Sequence, residues 1–282
     1  MPSDGLIEIA PVASALGAEI RGVDLSEELA DSETAAIRDA LGRYGVIFFR
    51  DQHLTPEQHI AFGRRWGEIE VNRFFRPVEG YPMIAEVRKE PDQRQNIGST
   101  WHTDHSYDEA PAMGSILYAR EVPEVGGDTL FANMCLAYET LSDGLKKTLE
   151  GLRAWHSSRH VFGHGGSARE LQRDARVGNP GLATQDALHP VVIRHPGTGR
   201  KALYVNASFT VRFNGWTEEE SKPLLDFLYR HAAQPEFTCR FRWQTGSIAF
   251  WDNRSTWHYA LNDYPGQRRL MHRITLRGVP LS

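Results

Sequence analysis

The chain has 282 residues, 40% of them hydrophobic and 24% charged, with a net charge of −4. That composition belongs to a globular protein, and the evenly mixed charge excludes the basic footprint of a nucleic-acid binder. No apolar run approaches the roughly 20 residues of a membrane helix, and residues 1–10 lack a secretory pattern. Cys135 and Cys239 stand apart without partner motifs, so a cytoplasmic chain with no disulfide or zinc-ribbon scaffold is expected.

Residues 34–43 carry apolar side chains at helical spacing, with Ser32 as the expected N-cap. Val46-Ile47-Phe48-Phe49 reads as a buried strand. Thr55-Pro56-Glu57-Gln58 is a capping box: Thr55 covers an exposed amide, Pro56 suits the first helical position, and Gln58 reaches back. That helix is expected to run to about Trp66 and stop at Gly67. Residues 115–120 and 128–132 read as strands around a Gly126-Gly127 turn, and residues 142–152 as a helix. Thr217 opens another capped helix, to His231, with Pro223 expected to kink it or delay its start.

The last third is strand-rich, at residues 237–243, 247–251, 256–260 and 270–277. Many short strands with a few helices predict a mainly β fold, a sandwich or jelly roll with helices packed outside. Strands and helices do not alternate, which counts against a parallel α/β fold. No repeat is present, and neither Gly126-Gly127 nor residues 163–166 have the spacing of a phosphate-binding loop. Residues 71–97 and 163–188 have the Gly, Pro and charged content expected of lids over a pocket.

Trp101-His102-Thr103-Asp104 is the sharpest local feature. On a strand, His102 and Asp104 would project to one face. An imidazole and a carboxylate so placed make two thirds of a 2-His-1-carboxylate triad, a set that suits Fe(II) and leaves positions open for chemistry. The third ligand must come from elsewhere among 12 histidines, and His258, in a strand-like segment, is a candidate. The plainer alternative is a His bonded to a nearby carboxylate, since His-x-Asp recurs by chance. Near the C-terminus, Arg269, Met271 and Arg273 share one strand face, and Leu270, His272 and Ile274 the other. Two inward arginines are costly without anionic partners, and planar guanidinium groups recognise carboxylates bidentately. A solvated basic edge is the plainer reading of the same pair.

Taken together, these residues resemble the taurine dioxygenase and aryloxyalkanoate dioxygenase family of Fe(II)/2-oxoglutarate enzymes. The likeness runs from Leu16-Gly17-Ala18-Glu19-Ile20 to the end of the chain. It rests on Trp101-His102-Thr103-Asp104, Gly126-Gly127-Asp128-Thr129, Trp251-Asp252-Asn253-Arg254, His258 and Gln267-Arg268-Arg269-Leu270-Met271-His272-Arg273. The resemblance implies one domain over residues 1–282, a double-stranded β-helix (jelly roll) core flanked by helices. It implies His102, Asp104 and His258 as iron ligands and catalytic centre. Thr129 and Arg269 would hold the far carboxylate of 2-oxoglutarate, and Arg273 would meet an anionic group of the main substrate. Phe162 and Phe209 fall where relatives place aromatic pocket walls.

The departures concern the substrate. Asn72 stands where the taurine enzyme has a sulfonate-binding histidine. Phe75 replaces a tyrosine, Gly98 an asparagine, and His105 a small apolar residue. Asn72 and His105 therefore join the expected substrate-binding set, and taurine itself is in doubt. Residues 151–163 and 219–243 look closer to aryloxyalkanoate enzymes, the arginine strand closer to the taurine enzyme.

The implied reaction consumes O2 and 2-oxoglutarate, releases succinate and CO2, and hydroxylates a small organic anion of sulfonate, sulfate ester or aryloxyalkanoate type. A product hydroxylated beside sulfur or oxygen would collapse to a carbonyl with sulfite, sulfate or a phenol. A homodimer or homotetramer is expected, with no nucleic-acid or membrane partner. Two alternatives remain: a zinc-type hydrolase on the same triad, although no His-Glu-x-x-His is present, and a non-catalytic cupin-like binding protein.

Overall fold

A computed structural model describes residues 7–282. Among the described residues, nine strands build the major sheet. Their order is Glu8–Pro11, Ala18–Arg21, Val46–Phe49, Ile248–Asp252, Gly114–Glu121, Arg269–Leu276, Tyr81–Lys89 and Pro77–Val78, with Ile69–Glu70 pairing beside Arg269–Leu276. Every pairing is antiparallel except that of Ala18–Arg21 with Val46–Phe49. Thr238–Phe241, Thr129–Asn133 and Thr256–Ala260 form the sheet that packs against it. Two smaller groups, Asp186–Pro190 with Arg153–Ser157 and Thr210–Phe213, and Val192–Arg194 with Lys201–Leu203, lie beyond.

The strand Val46–Phe49 shows why its sequence is continuously apolar: both of its faces are covered. Phe48 points between the sheets, among Phe131, Phe241, Trp251 and Met271. Its ring stacks on Phe241 with centroids 4.0 Å apart, joining the two layers. Ile47 and Phe49 point the other way, under the helices Asp31–Tyr44 and Pro56–Arg64, against Ile37, Leu41 and Phe62. Helix Glu218–Ala232 and the short helix Met134–Glu139 cover Trp257, Ala132 and Leu203 behind the smaller sheet. This is the mainly β, helix-flanked jelly roll that the sequence predicts.

Several local expectations need correction. Ala30, not Ser32, caps the first helix, and Ser32 lies in its first turn. The carboxylate of Glu33, at N3, accepts from the Ala30 amide at 2.7 Å, which supplies the reciprocal half of a capping box without a capping hydroxyl. The Thr55 capping box forms, but the helix ends at Arg64 and the chain continues as a turn through Trp66. Pro223 does not delay the helix Glu218–Ala232, which starts directly after Thr217. The carbonyl that Pro223 leaves unbonded is that of Glu219, in the exposed first turn, where solvent satisfies it. The strands on either side of Gly126-Gly127 belong to different sheets, so the turn is a crossover. Gly126 has φ +86°, and a Cβ there would meet Asp263 at 2.8 Å, so only glycine fits.

Candidate metal and co-substrate site

The spacing of His102 and Asp104 predicts a strand, and the structure has none there. His102 forms a single bridge with His258. Its amide donates to the His258 carbonyl at 3.2 Å, and the His258 amide donates back at 2.8 Å. Asp104 opens a turn whose next residue, His105, sits in the left-handed region at φ +57°. Convergence therefore comes from another device. The bridge sets the two imidazoles side by side, centroids 4.0 Å apart, and the turn swings the carboxylate towards them. His102 Nε2 lies 3.8 Å from Asp104 Oδ1, and His258 Nε2 lies 3.9 Å from Oδ2.

Surrounding groups orient these three. His102 Nδ1 donates to the Thr100 carbonyl at 2.7 Å, which fixes the proton there and leaves the Nε2 lone pair free. The Trp251 ring lies 4.6 Å from the His258 ring. Ser115 Oγ donates to Asp104 Oδ2 at 2.7 Å and accepts from Asn253 Nδ2 at 3.1 Å. Asn253 Oδ1 in turn accepts from the Asp104 amide at 3.1 Å and from Trp251 Nε1 at 2.9 Å. Burial would raise the Asp104 carboxyl, but the charge of the Arg273 guanidinium holds it well below the usual carboxylate range. Burial pushes both His102 and His258 down. The cluster thus offers one carboxylate and two neutral imidazoles, the protonation states that bind metal. Two histidines and a carboxylate with an open side fit Fe(II).

A cavity of about 560 Å³ adjoins the cluster. Arg269 and Arg273 both line it, projecting from the inward face of their strand. Arg269 Nε donates to the Gly127 carbonyl at 3.1 Å, while its buried Nη2 has no partner. Burial pushes this guanidinium down from its ordinary value, since no carboxylate pairs with it. Thr129 lines the same cavity; its Oγ1 accepts from Trp243 Nε1 at 2.9 Å, which leaves its own proton to donate. Arg273 Nη1 donates to Asp104 Oδ1 at 3.2 Å, and its guanidinium covers the Phe75 ring at 4.5 Å.

Phe162, Phe209 and His105 also line the cavity. Asn72 does not. Its Oδ1 accepts from the amides of Phe74 and Phe75, each at 2.9 Å, so it shapes the local turn. Its Nδ2 lies 3.1 Å from His105 Nε2, which places it behind the histidine.

The profile of the taurine catabolism dioxygenase TauD, TfdA family matches residues 8–275. The chain belongs to that family. Among its relatives, an alkylsulfatase of Acinetobacter baylyi is 37% identical, over 96% of this chain and 85% of that protein. An alpha-ketoglutarate-dependent sulfate ester dioxygenase of Pseudomonas putida is 36% identical, over 98% of this chain and 91% of its own length. The crystal structure of a taurine dioxygenase from Burkholderia xenovorans superposes with a TM-score of 0.81 at 39% identity, covering 96% of this chain and 91% of the other. The chain is accordingly an Fe(II)- and 2-oxoglutarate-dependent dioxygenase, an oxidoreductase. Membership in the TauD, TfdA family favours this reading over the zinc hydrolase and the binding module.

Within this TauD, TfdA member, sequence reasoning passed over Ser115 and the side chain of Asn253. The only trace of Ser115 is a hydroxyl in the buried run 114–119 of the strand Gly114–Glu121, where it is fully buried. Within residues 71–97, Tyr81–Lys89 is an interior strand tied by its ladder to Arg269–Leu276, while Phe75, Gln95, Asn96 and Ile97 border the cavity. Residues 163–188 do border the cavity, through Ser167, Ala168 and Leu171. No helix among the described residues is long and apolar enough to cross a membrane.

Proposed function

We propose that residues 1–282 form one catalytic domain in which His102, Asp104 and His258 hold Fe(II). Thr129 and Arg269 receive the far carboxylate of 2-oxoglutarate, and Arg273 meets the anionic end of the main substrate. The observation that carries this reading is the unpartnered, buried Nη2 of Arg269, on the wall of the same cavity that holds the His-Asp-His cluster. A buried cation without an anion is costly, and a carboxylate of the co-substrate removes that cost.

Iron bound there, with O2, supplies the oxidation that turns 2-oxoglutarate into succinate and CO2 and hydroxylates a substrate C–H. The protein's part is orientation and exclusion of water. The two imidazoles act as neutral donors and Asp104 as an ionised one. Phe162 and Phe209 close the apolar side of the cavity. Arg273 fixes the anionic end, so that one C–H of the substrate faces the metal.

For the main substrate we infer an alkyl sulfate ester or alkyl sulfonate in preference to taurine. Val87, Leu117, Val161, Phe162, Leu171 and Phe209 give the cavity an apolar wall. Asp104 is the only carboxylate among its described lining residues, so nothing there awaits an ammonium group. Two relatives are named for sulfate ester chemistry. Hydroxylation at the carbon that bears the ester oxygen gives a product that collapses to an aldehyde and sulfate. The test is succinate release with a series of linear alkyl sulfates, alkyl sulfonates and taurine. Turnover is expected to rise with the apolar chain, and preferential turnover of taurine would overturn this substrate assignment.

A further inference from the structure

Beside Arg269 stands a second buried cation that the site as described does not use. Lys89 closes the strand Tyr81–Lys89 and lies opposite Arg269 in the antiparallel pairing with Arg269–Leu276. Directly opposed residues project to the same face, so Lys89 shares the inward face with Arg269, and it is only 3% exposed. A lysine this deeply buried ordinarily has a carboxylate partner. Among the described residues Lys89 has none. Its ammonium sits 4.2 Å from the centroid of the Tyr264 ring and makes one long bond, 3.5 Å, to the Tyr264 carbonyl.

The charged side chains around it add to the imbalance. Arg176, also buried, is paired with Asp174 at 2.8 Å and donates to the carbonyls of Arg88 and Gln95. Asp128, near Arg269, is engaged by Arg240 at 2.6 Å. Neither Lys89 nor Arg269 forms a direct ion pair among the described residues, although Asp128 acts on Arg269 from a distance. Between them lies a gap of about 10 Å³, walled by Lys89, Asn96, Tyr264 and Arg269. The gap shares Val87, Asn96, Ile97 and Arg269 with the main cavity, so it backs directly onto it. Its size admits about one water. Two polar atoms on its walls, Arg269 Nη2 and Asn96 Oδ1, are unpartnered.

We propose that Lys89 is a positioning residue for the co-substrate. Its ammonium, acting through the one water that the gap admits, adds to the charge that Arg269 presents to the far carboxylate of 2-oxoglutarate. The proposal rests on the assignment of Arg269 to that carboxylate. A dianionic keto acid brings to this corner the negative charge that the protein itself leaves out. The chain therefore discriminates against 2-oxo acids lacking a second carboxylate more strongly than Arg269 alone would allow.

The experiment compares 2-oxoglutarate with 2-oxovalerate, which has the same chain length and no far carboxylate. Dissociation constants are measured without oxygen, by calorimetry on the metal-loaded enzyme, for wild type, Lys89→Met, Lys89→Arg and Arg269→Met. KM and kcat for 2-oxoglutarate are measured in parallel. Lys89→Met is expected to weaken 2-oxoglutarate on the order of tenfold and to leave 2-oxovalerate within about twofold. KM should carry the loss with kcat little changed, and Lys89→Arg should recover most of it. Equal weakening of both keto acids would mean that Lys89 only shapes the cavity, and would overturn the proposal, as would unchanged affinity for 2-oxoglutarate. If Arg269→Met leaves the discrimination intact, the Arg269 assignment falls. If it removes the discrimination and Lys89→Met does not reduce it, only the role of Lys89 falls. Should Lys89→Met fail to fold, Lys89→Gln removes the charge while keeping a donor for the Tyr264 carbonyl, and the same comparison decides.

Discussion

Ser115→Ala tests the proposed metal site through a residue that touches neither metal nor substrate. Ser115 is fully buried. Its loss removes the 2.7 Å bond to Asp104 Oδ2 and leaves Asn253 Nδ2 without a partner. An unpaired buried amide costs about 1–3 kcal/mol of stability. Asp104 stays ionised, because Arg273 still faces it at 3.2 Å, so the damage is to orientation. Loss of a partner that orients a metal ligand weakens metal binding by roughly 10–100-fold, and tenfold corresponds to about 1.4 kcal/mol. Anaerobic calorimetry with Fe(II), or with Mn(II) as a redox-stable stand-in, reads the dissociation constant; thermal melting of the metal-free protein reads the stability. The expected result is a dissociation constant raised at least about tenfold and a melting point lowered by several degrees. A melting point that falls while metal affinity stays at the wild-type value would refute the reasoning, since the carboxylate would then be oriented without Ser115.

Asp104→Ala should abolish succinate formation, and wild-type turnover in that variant would remove Asp104 from the centre. Arg269→Ala should raise the 2-oxoglutarate requirement far more than Arg273→Ala does; steady-state kinetics showing equal effects would refute the division of roles. His59 predicts the acid limit of stability. It is 1% exposed, neither ring nitrogen has a partner, and burial, helped by the charges of His272 and Arg120, pushes it from 6.5 down to about 3. The unfolded chain binds this proton near 6.5 and the folded chain does not. Stability should therefore be full above that value and fall as the pH drops below it, by up to about 1.4 kcal/mol per pH unit. His59→Phe should lessen the slope of melting temperature against pH between about pH 6 and about pH 4, leaving the share of the other histidines that burial pushes down; an unchanged slope would place the acid sensitivity wholly in those groups.

What the sequence determined by itself was whatever rests on neighbours along the chain. The Thr55 capping box, the capped start of the helix after Thr217, the buried strand Val46–Phe49 and the shared face of Arg269, Met271 and Arg273 are all set by periods of a few residues, and the structure has them. The candidate site residues were legible for a second reason: taken singly His102-x-Asp104 and the arginine pair have plainer readings, but their order along the chain with Gly126-Gly127-Asp128-Thr129, Trp251-Asp252-Asn253-Arg254 and His258 carries the family resemblance. Tertiary structure alone decided how these meet. A strand period suggested that His102 and Asp104 share a face, whereas a backbone bridge to His258 and a turn at Asp104 bring them together. Asn72, expected in the substrate-binding set, lies behind His105 and off the cavity wall, because its amide is committed to the turn at Phe74 and Phe75. Ser115 is marked locally only by a hydroxyl among buried neighbours, and Lys89 by nothing local. A buried hydroxyl or ammonium is informative only through what stands opposite it, and that is fixed by strand register and sheet packing, which no short stretch of sequence contains.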